Sequence, residues 1–412
     1  MSRFTCKVFM LGMLSAAFLM SSCIRNEKVE NKKYRTVLVY IGADNNLSNI
    51  ANSNIYSMNS CISNGMENDN LLVFVDRQDV VPALLHVHDF KIDTIAKYPE
   101  VDTSDPKVLK EVIDYVLENW KSERYGLVMW SHGTGWIPTR QLHYVAPNMN
   151  YSQARDGNTP AQTVNEERGN PFAPTKAFAW ENRKGQSPSY SCMEIDEMVE
   201  AIPEGVFDYI VFDACYMGNV EIMYALRNKC NFIISSCYEI VSYGMPYHVV
   251  TRDFMVGDLG NLLNTCHEFY NYYNSMSGWE RMAGISLVRT DGLDSLARCF
   301  RKIVADYADT IPNFDVSKVQ YFDRFKNHVF YDLLDFVEKL GPERDVLNEF
   351  RLQMERCVPY KVSTPYIFPT DKEQIKVDAY CGLSVYIPLA KYEASGLNDD
   401  YRKTEWSQYT DY

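Results

Sequence analysis

The chain has 412 residues, 46% hydrophobic and 23% charged, enough apolar material for one large core or two modest ones. Its formal net charge is −13 and it has no Lys/Arg run or basic stripe, which argues against nucleic acid as a partner. Its seven histidines form no HExxH and no dense ligand spacing, which disfavours a zinc peptidase; neither a metal nor another cofactor is assigned.

At the N-terminus, Arg3 and Lys7 precede an apolar stretch from Val8 to Met20 that is short for a membrane span. Leu19-Met20-Ser21-Ser22-Cys23 follows and resembles a bacterial lipobox. On this reading residues 1–22 are a lipoprotein signal peptide, Cys23 is lipidated and residues 23–33 are a polar tether. The mature protein then carries −15 and is exported to the cell envelope, held to a membrane by its N-terminal lipid anchor. An ordinary secretory signal cleaved nearby is the alternative. With Cys6 removed, Cys23 lipidated and Cys215 kept free, eight of the 11 cysteines remain, and export would allow some to pair.

Thr36 to Ile41 is a continuous apolar run that predicts a central strand, ending in the turn-rich Gly42-Ala43-Asp44-Asn45-Asn46. A helix is expected over 49–58, a strand over 71–75 and an edge strand over 84–90. Asp105-Pro106 is a helix start, with Asp as N-cap and Pro at N1. Val108, Leu109, Val112, Ile113, Val116 and Leu117 then mark one helical face. Tyr125 to Ser131 is the next strand and delivers His132-Gly133 at its end. Residues 137–190 are polar and weakly periodic, an insert. A helix over 193–202 follows, then a strand over 207–212 that delivers Asp213-Ala214-Cys215, a helix over 216–227 and a strand over 232–236.

This alternation predicts an α/β fold with a mostly parallel sheet over 34–250. Residues 251–412 form a C-terminal α/β region completing or flanking that core, with helices over 257–275 and 291–308 and strands over 283–288 and 381–387. Residues 396–412 carry no clear assignment.

The C-terminal edge of an open α/β sheet is where chemistry gathers, so His132 and Cys215 suggest a cysteine nucleophile with a histidine partner. If the 216–227 helix starts at Cys215, its positive end would lower the thiol pKa. Ser131-His132-Gly133-Thr134-Gly135-Trp136 and Phe212-Asp213-Ala214-Cys215-Tyr216-Met217-Gly218 resemble the two catalytic signatures of the clostripain family of cysteine peptidases. The similarity extends to Val37–Leu47, the Asp105-Pro106 helix, Met193–Ile202 and Gly382–Pro388. The resemblance implies a caspase-like three-layer sandwich and an endopeptidase acting on peptides with Arg or Lys at P1. Cys215 would be the nucleophile, His132 the general acid/base, and the Gly133 and Cys215 N–H groups the oxyanion hole. Asp213 would lie at the base of the S1 pocket, with Glu239 adding charge; a helix-capping role for Asp213 is the alternative. Some relatives mature by cleavage between His and Cys, which makes Arg183 and Lys184 autocleavage candidates. The caspase Gln-Ala-Cys signature is absent, and 83 residues separate His132 from Cys215. Competing readings are a catalytically silent surface-binding lipoprotein of the same fold and another thiol amidase or transpeptidase.

Overall fold

The computed structural model describes residues 33–62, 69–145, 178, 192–370 and 374–412. The signal segment, Cys23, most of the tether, and Arg183 and Lys184 in the insert lie outside the described residues.

The first half runs β1 (Lys33–Ala43), α1 (Ser48–Cys61), β2 (Asp69–Arg77), β3 (Val80–His88), β4 (Lys91–Lys97), α2 (Pro106–Asn119), β5 (Ser122–Trp130) and α3 (Leu142–Val145). It continues with α4 (Ile195–Ala201), β6 (Phe207–Asp213), α5 (Val220–Ala225) and β7 (Cys230–Ser235). After these come α6 (Tyr247–Val256), α7 (Leu259–Asn274), β8 (Gly284–Arg289), α8 (Leu293–Asp306), β9 (Tyr331–Asp332), α9 (Leu333–Leu340), α10 (Arg344–Cys357) and β10 (Tyr360–Ser363). The last elements are β11 (Tyr366–Ile367), β12 (Ile375–Lys376), β13 (Ser384–Val385), α11 (Leu397–Tyr401) and α12 (Glu405–Thr410).

Nine strands form one sheet in the order β10-β8-β7-β6-β5-β1-β2-β3-β4. The central five, β7 to β2, are parallel, and antiparallel strands extend both edges. Helices α1, α6 and α7 pack together on one face, and α2, α4, α5, α8, α10 and α12 on the other. Both faces of the middle strands are therefore covered, which is why Val37 to Ile41 and Leu127 to Trp130 are apolar without alternation and essentially buried. This is the expected three-layer α/β sandwich. Residues beyond 250 complete it, because β8 and β10 belong to the same sheet.

Several local expectations change. The edge strand over 84–90 turns at Asp89 and Phe90, both at positive φ, and returns as β4. That is a two-residue hairpin turn made without Asn-Gly or Gly, so the usual sequence signal is missing. The 381–387 run yields only the two-residue β13. It pairs antiparallel with the two-residue β9, and its other backbone bonds go to a loop and a side chain: Ser384 N–H donates to Gly218 O (2.9 Å) and Tyr386 N–H to Glu221 Oε1 (2.9 Å). The unassigned C-terminus folds into α11 and α12, which bury Tyr401 and Trp406. No disulfide joins any two of the nine cysteines among the described residues. No helix among the described residues is long and apolar enough to cross a membrane.

Candidate active site

Strands β5 and β6 pair in parallel with Trp130 opposite Asp213, so both end at the same level. The residues that follow emerge side by side, and Ser131 N–H still reaches Asp213 O at 3.4 Å. Gly133 lies so close to the next turn that a Cβ there would collide with the Cys215 carbonyl oxygen. His132 and Cys215 thereby line one small cleft, together with Leu47, Trp130, Asp213 and the Ile240–Gly244 loop. Strand order reverses between β1 and β5, so the cleft sits beside the switch point of the sheet.

His132 is almost fully buried, and its Nε2 lies 3.0 Å from Asn46 Oδ1. Asn46 follows β1, so a third parallel strand end holds the imidazole. The loop is set by Asn45, whose Oδ1 accepts from Leu47 N–H at 2.8 Å. Sequence reasoning placed Asn46 in a turn and gave it no role. The available signal was its position: it follows a buried strand on the same sheet edge as His132.

Cys215 sits in a turn rather than at a helix start. Tyr216 takes a left-handed conformation (φ 59°), and α5 begins only at Val220, capped by the Asn219 side chain. The expected helix-dipole effect on the thiol therefore does not operate. The turn is stitched instead to the chain after β7: Tyr216 N–H donates to Tyr238 O (3.2 Å) and Gly218 N–H to Ser236 O (2.7 Å). Part of Cys215 reaches solvent, but its sulfur is closely surrounded. Burial pushes the thiol pKa up, and the Glu239 charge adds to this. The Ile240 N–H, 3.4 Å from Sγ, pulls the other way. The two raising effects favour the neutral thiol over the thiolate.

Asp213 ends β6 and is fully buried. Its Oδ2 accepts from Met245 N–H (2.9 Å) and from the Tyr247 hydroxyl (2.9 Å), while Oδ1 is buried with no partner. Burial raises its pKa to about 6 against those two hydrogen bonds. Gly244, at φ 71°, passes so close that a Cβ would lie 2.5 Å from Asp213 Oδ2. Because Asn219 caps α5, Asp213 is not a helix cap. The carboxylate faces the cleft that His132 and Cys215 line.

Glu239 does not line that cleft. It is buried against the Tyr216 hydroxyl (3.1 Å) and the Arg324 guanidinium (3.3 Å). Burial raises its pKa and Arg324 opposes the rise. The charge expected from Glu239 thus lies behind the cleft wall, paired with a guanidinium 85 residues away. Among the described residues no group of three or more His, Cys, Asp or Glu side chains could hold a metal ion.

The sequence model of the Clostripain family matches residues 39–159 and 165–404. Clostripain of Hathewaya histolytica is 25% identical over 229 residues, which is 49% of this chain and 38% of that protein's length. An inactive zymogen C11 protease from Parabacteroides distasonis superposes with a TM-score of 0.73 at 28% identity, covering 91% of this chain and 97% of that one. A secreted C11 cysteine protease from Bacteroides thetaiotaomicron, solved with an irreversible peptide inhibitor, gives 0.73 at 26% identity, covering 92% and 99%. With its His-Gly and Ala-Cys turns side by side on a caspase-like sheet, the chain belongs to the clostripain family of cysteine peptidases.

Proposed function

We propose that the protein is an endopeptidase that cleaves after Arg or Lys through Cys215 and His132. One observation carries the specificity: a buried carboxylate with an unpartnered oxygen, Asp213 Oδ1, at the cleft shared by the thiol and the imidazole. A P1 ammonium or guanidinium would supply the missing partner. The cleft encloses about 30 Å³, so a long basic side chain enters as the Ile240–Gly244 loop gives way.

The chemistry follows from the neutral thiol. His132 takes the Cys215 proton as sulfur attacks the scissile carbonyl, and the Gly133 and Cys215 N–H groups receive the developing oxyanion. His132 then protonates the leaving amine, and an acyl thioester remains on Cys215. Water, deprotonated by His132, hydrolyses the thioester and restores the thiol.

A peptide series varying only at P1 tests this reading. Arg and Lys are expected to turn over, and Ala and Asp to be poor substrates; equal turnover of all four contradicts it. Gly133→Ala tests the oxyanion assignment, because the added methyl strikes the Cys215 carbonyl and displaces the turn. The expected outcome is a fall in kcat of about 10²-fold or more with a cooperative melt retained; unchanged kcat removes Gly133 from the mechanism.

We also propose that the protein is an exported lipoprotein lipidated at Cys23, and that it cuts itself within 137–190 at Arg183 or Lys184. The basis is the leader sequence and the basic residues between His132 and Cys215. Intact masses of the purified protein and of Cys215→Ala should differ by chain cleavage; identical masses end the self-processing idea.

A further inference from the structure

A second cavity, of about 270 Å³, lies where α4, α5 and the C-terminal segment meet. The chain just beyond His132 and helix α5, which follows the Cys215 turn, supply its wall and floor. Trp136 lies four residues beyond His132, and Glu221 six beyond Cys215. None of its lining residues belongs to the catalytic cleft.

The floor has unsatisfied hydrogen-bonding groups. Glu221 is 2% exposed; its Oε1 accepts from Tyr386 N–H at 2.9 Å, and its Oε2 is buried without a partner. The indole N–H of Trp136, 4% exposed, is also unpartnered. Val199, Ala225 and Ile195 make the walls apolar. At the rim Asp400 engages both Arg140 and Lys403, Glu405 is paired with Arg227 (2.7 Å), and Glu194 and Asp196 add negative charge.

We infer that this cavity binds a primary ammonium group on an apolar stem, the chemistry of a lysine side chain or of a free alkyl diamine. The stem would lie along Val199 and Ala225, and the ammonium would meet Glu221 Oε2 beside the indole ring. Only one carboxylate oxygen is free, which suits a point charge better than the two-pronged guanidinium. Burial, against the Tyr386 N–H, raises the Glu221 pKa to about 8, and an ammonium at Oε2 would favour the ionised form.

The test uses the full chain with its catalytic cleft disabled by Cys215→Ala and Asp213→Asn, so that the readout is binding and does not depend on the protease reading. Calorimetric titration with 1,5-diaminopentane, and separately with N-acetyl-lysine amide, is expected to show saturable one-to-one binding. Preference for the first assigns the site to free diamines, and comparable binding of both assigns it to lysine side chains. Adding Glu221→Gln, which keeps an acceptor for Tyr386 N–H, should weaken binding about tenfold or more. Filling the cavity with Val199→Phe should abolish it. Absence of saturable binding to either amine, or affinities unchanged by both substitutions in folded protein, overturns the inference.

Discussion

Cys215→Ala is expected to lower kcat/KM for an arginine-P1 peptide by roughly 10⁴-fold or more, because Cys215 carries the only thiol among the residues lining the cleft. The fold should survive. The side chain is partly exposed and its sulfur receives one backbone N–H, from Ile240, so its removal costs about 1 kcal/mol. Melting temperature and near-ultraviolet circular dichroism check this independently of activity. Cys192 is the other part-exposed thiol among the described cysteines. It lies outside the cleft, and Cys192→Ala should retain turnover. Loss in both variants would point to a structural need for thiols; loss in neither would remove Cys215 as nucleophile.

The second large effect is expected at Asp213. Asp213→Asn should reduce kcat/KM for Arg and Lys substrates by roughly 10² to 10³, the cost of leaving a buried cation without its counter-charge. Stability should move the other way. Folding raises this carboxyl from its ordinary 3.8 to about 6 through burial. The folded state therefore holds the proton more tightly, and the contribution to stability is full below about pH 4 and lost as pH rises through about 6. At pH 7.5 the ionised group costs the fold on the order of 3 kcal/mol relative to a solvated carboxylate. The asparagine variant, with no charge to bury, should melt at the same temperature or higher. In the parent enzyme, kcat/KM for basic substrates should fall as pH drops through about 6, and the variant should lose that limb. A variant that keeps its preference for Arg would exclude Asp213 as the specificity residue. Such an exchange of stability for binding is common at functional sites.

The central sheet was legible because burial on both faces leaves unbroken apolar runs, and because β5 and β6 deliver His132-Gly133 and Ala214-Cys215 directly at their ends. The convergence of the two turns depends on register, which pairs Trp130 with Asp213, and two runs ending at the same relative point are a fair sign of it. What the sequence hid was non-local or conformational. Tyr216 adopts a left-handed turn without glycine, so the helix expected from 216 starts at Val220. The pairing of Glu239 with Arg324 joins segments with no common periodicity. The 381–387 run looks like a strand because it is apolar, but its backbone braces the Cys215 loop through Gly218 and α5 through Glu221. Asn46 sits beside His132 because β1 and β5 are neighbours, which a single sequence states only once the sheet order is known.

The most direct test is covalent. Purified protein is treated with an arginyl chloromethyl ketone, digested, and mapped by mass spectrometry. The expected product is a single adduct on the Cys215 sulfur, formed quickly in the parent and markedly more slowly in Asp213→Asn. An unmodified Cys215 under conditions where the other thiols stay equally inert, or an adduct located elsewhere, would contradict the account.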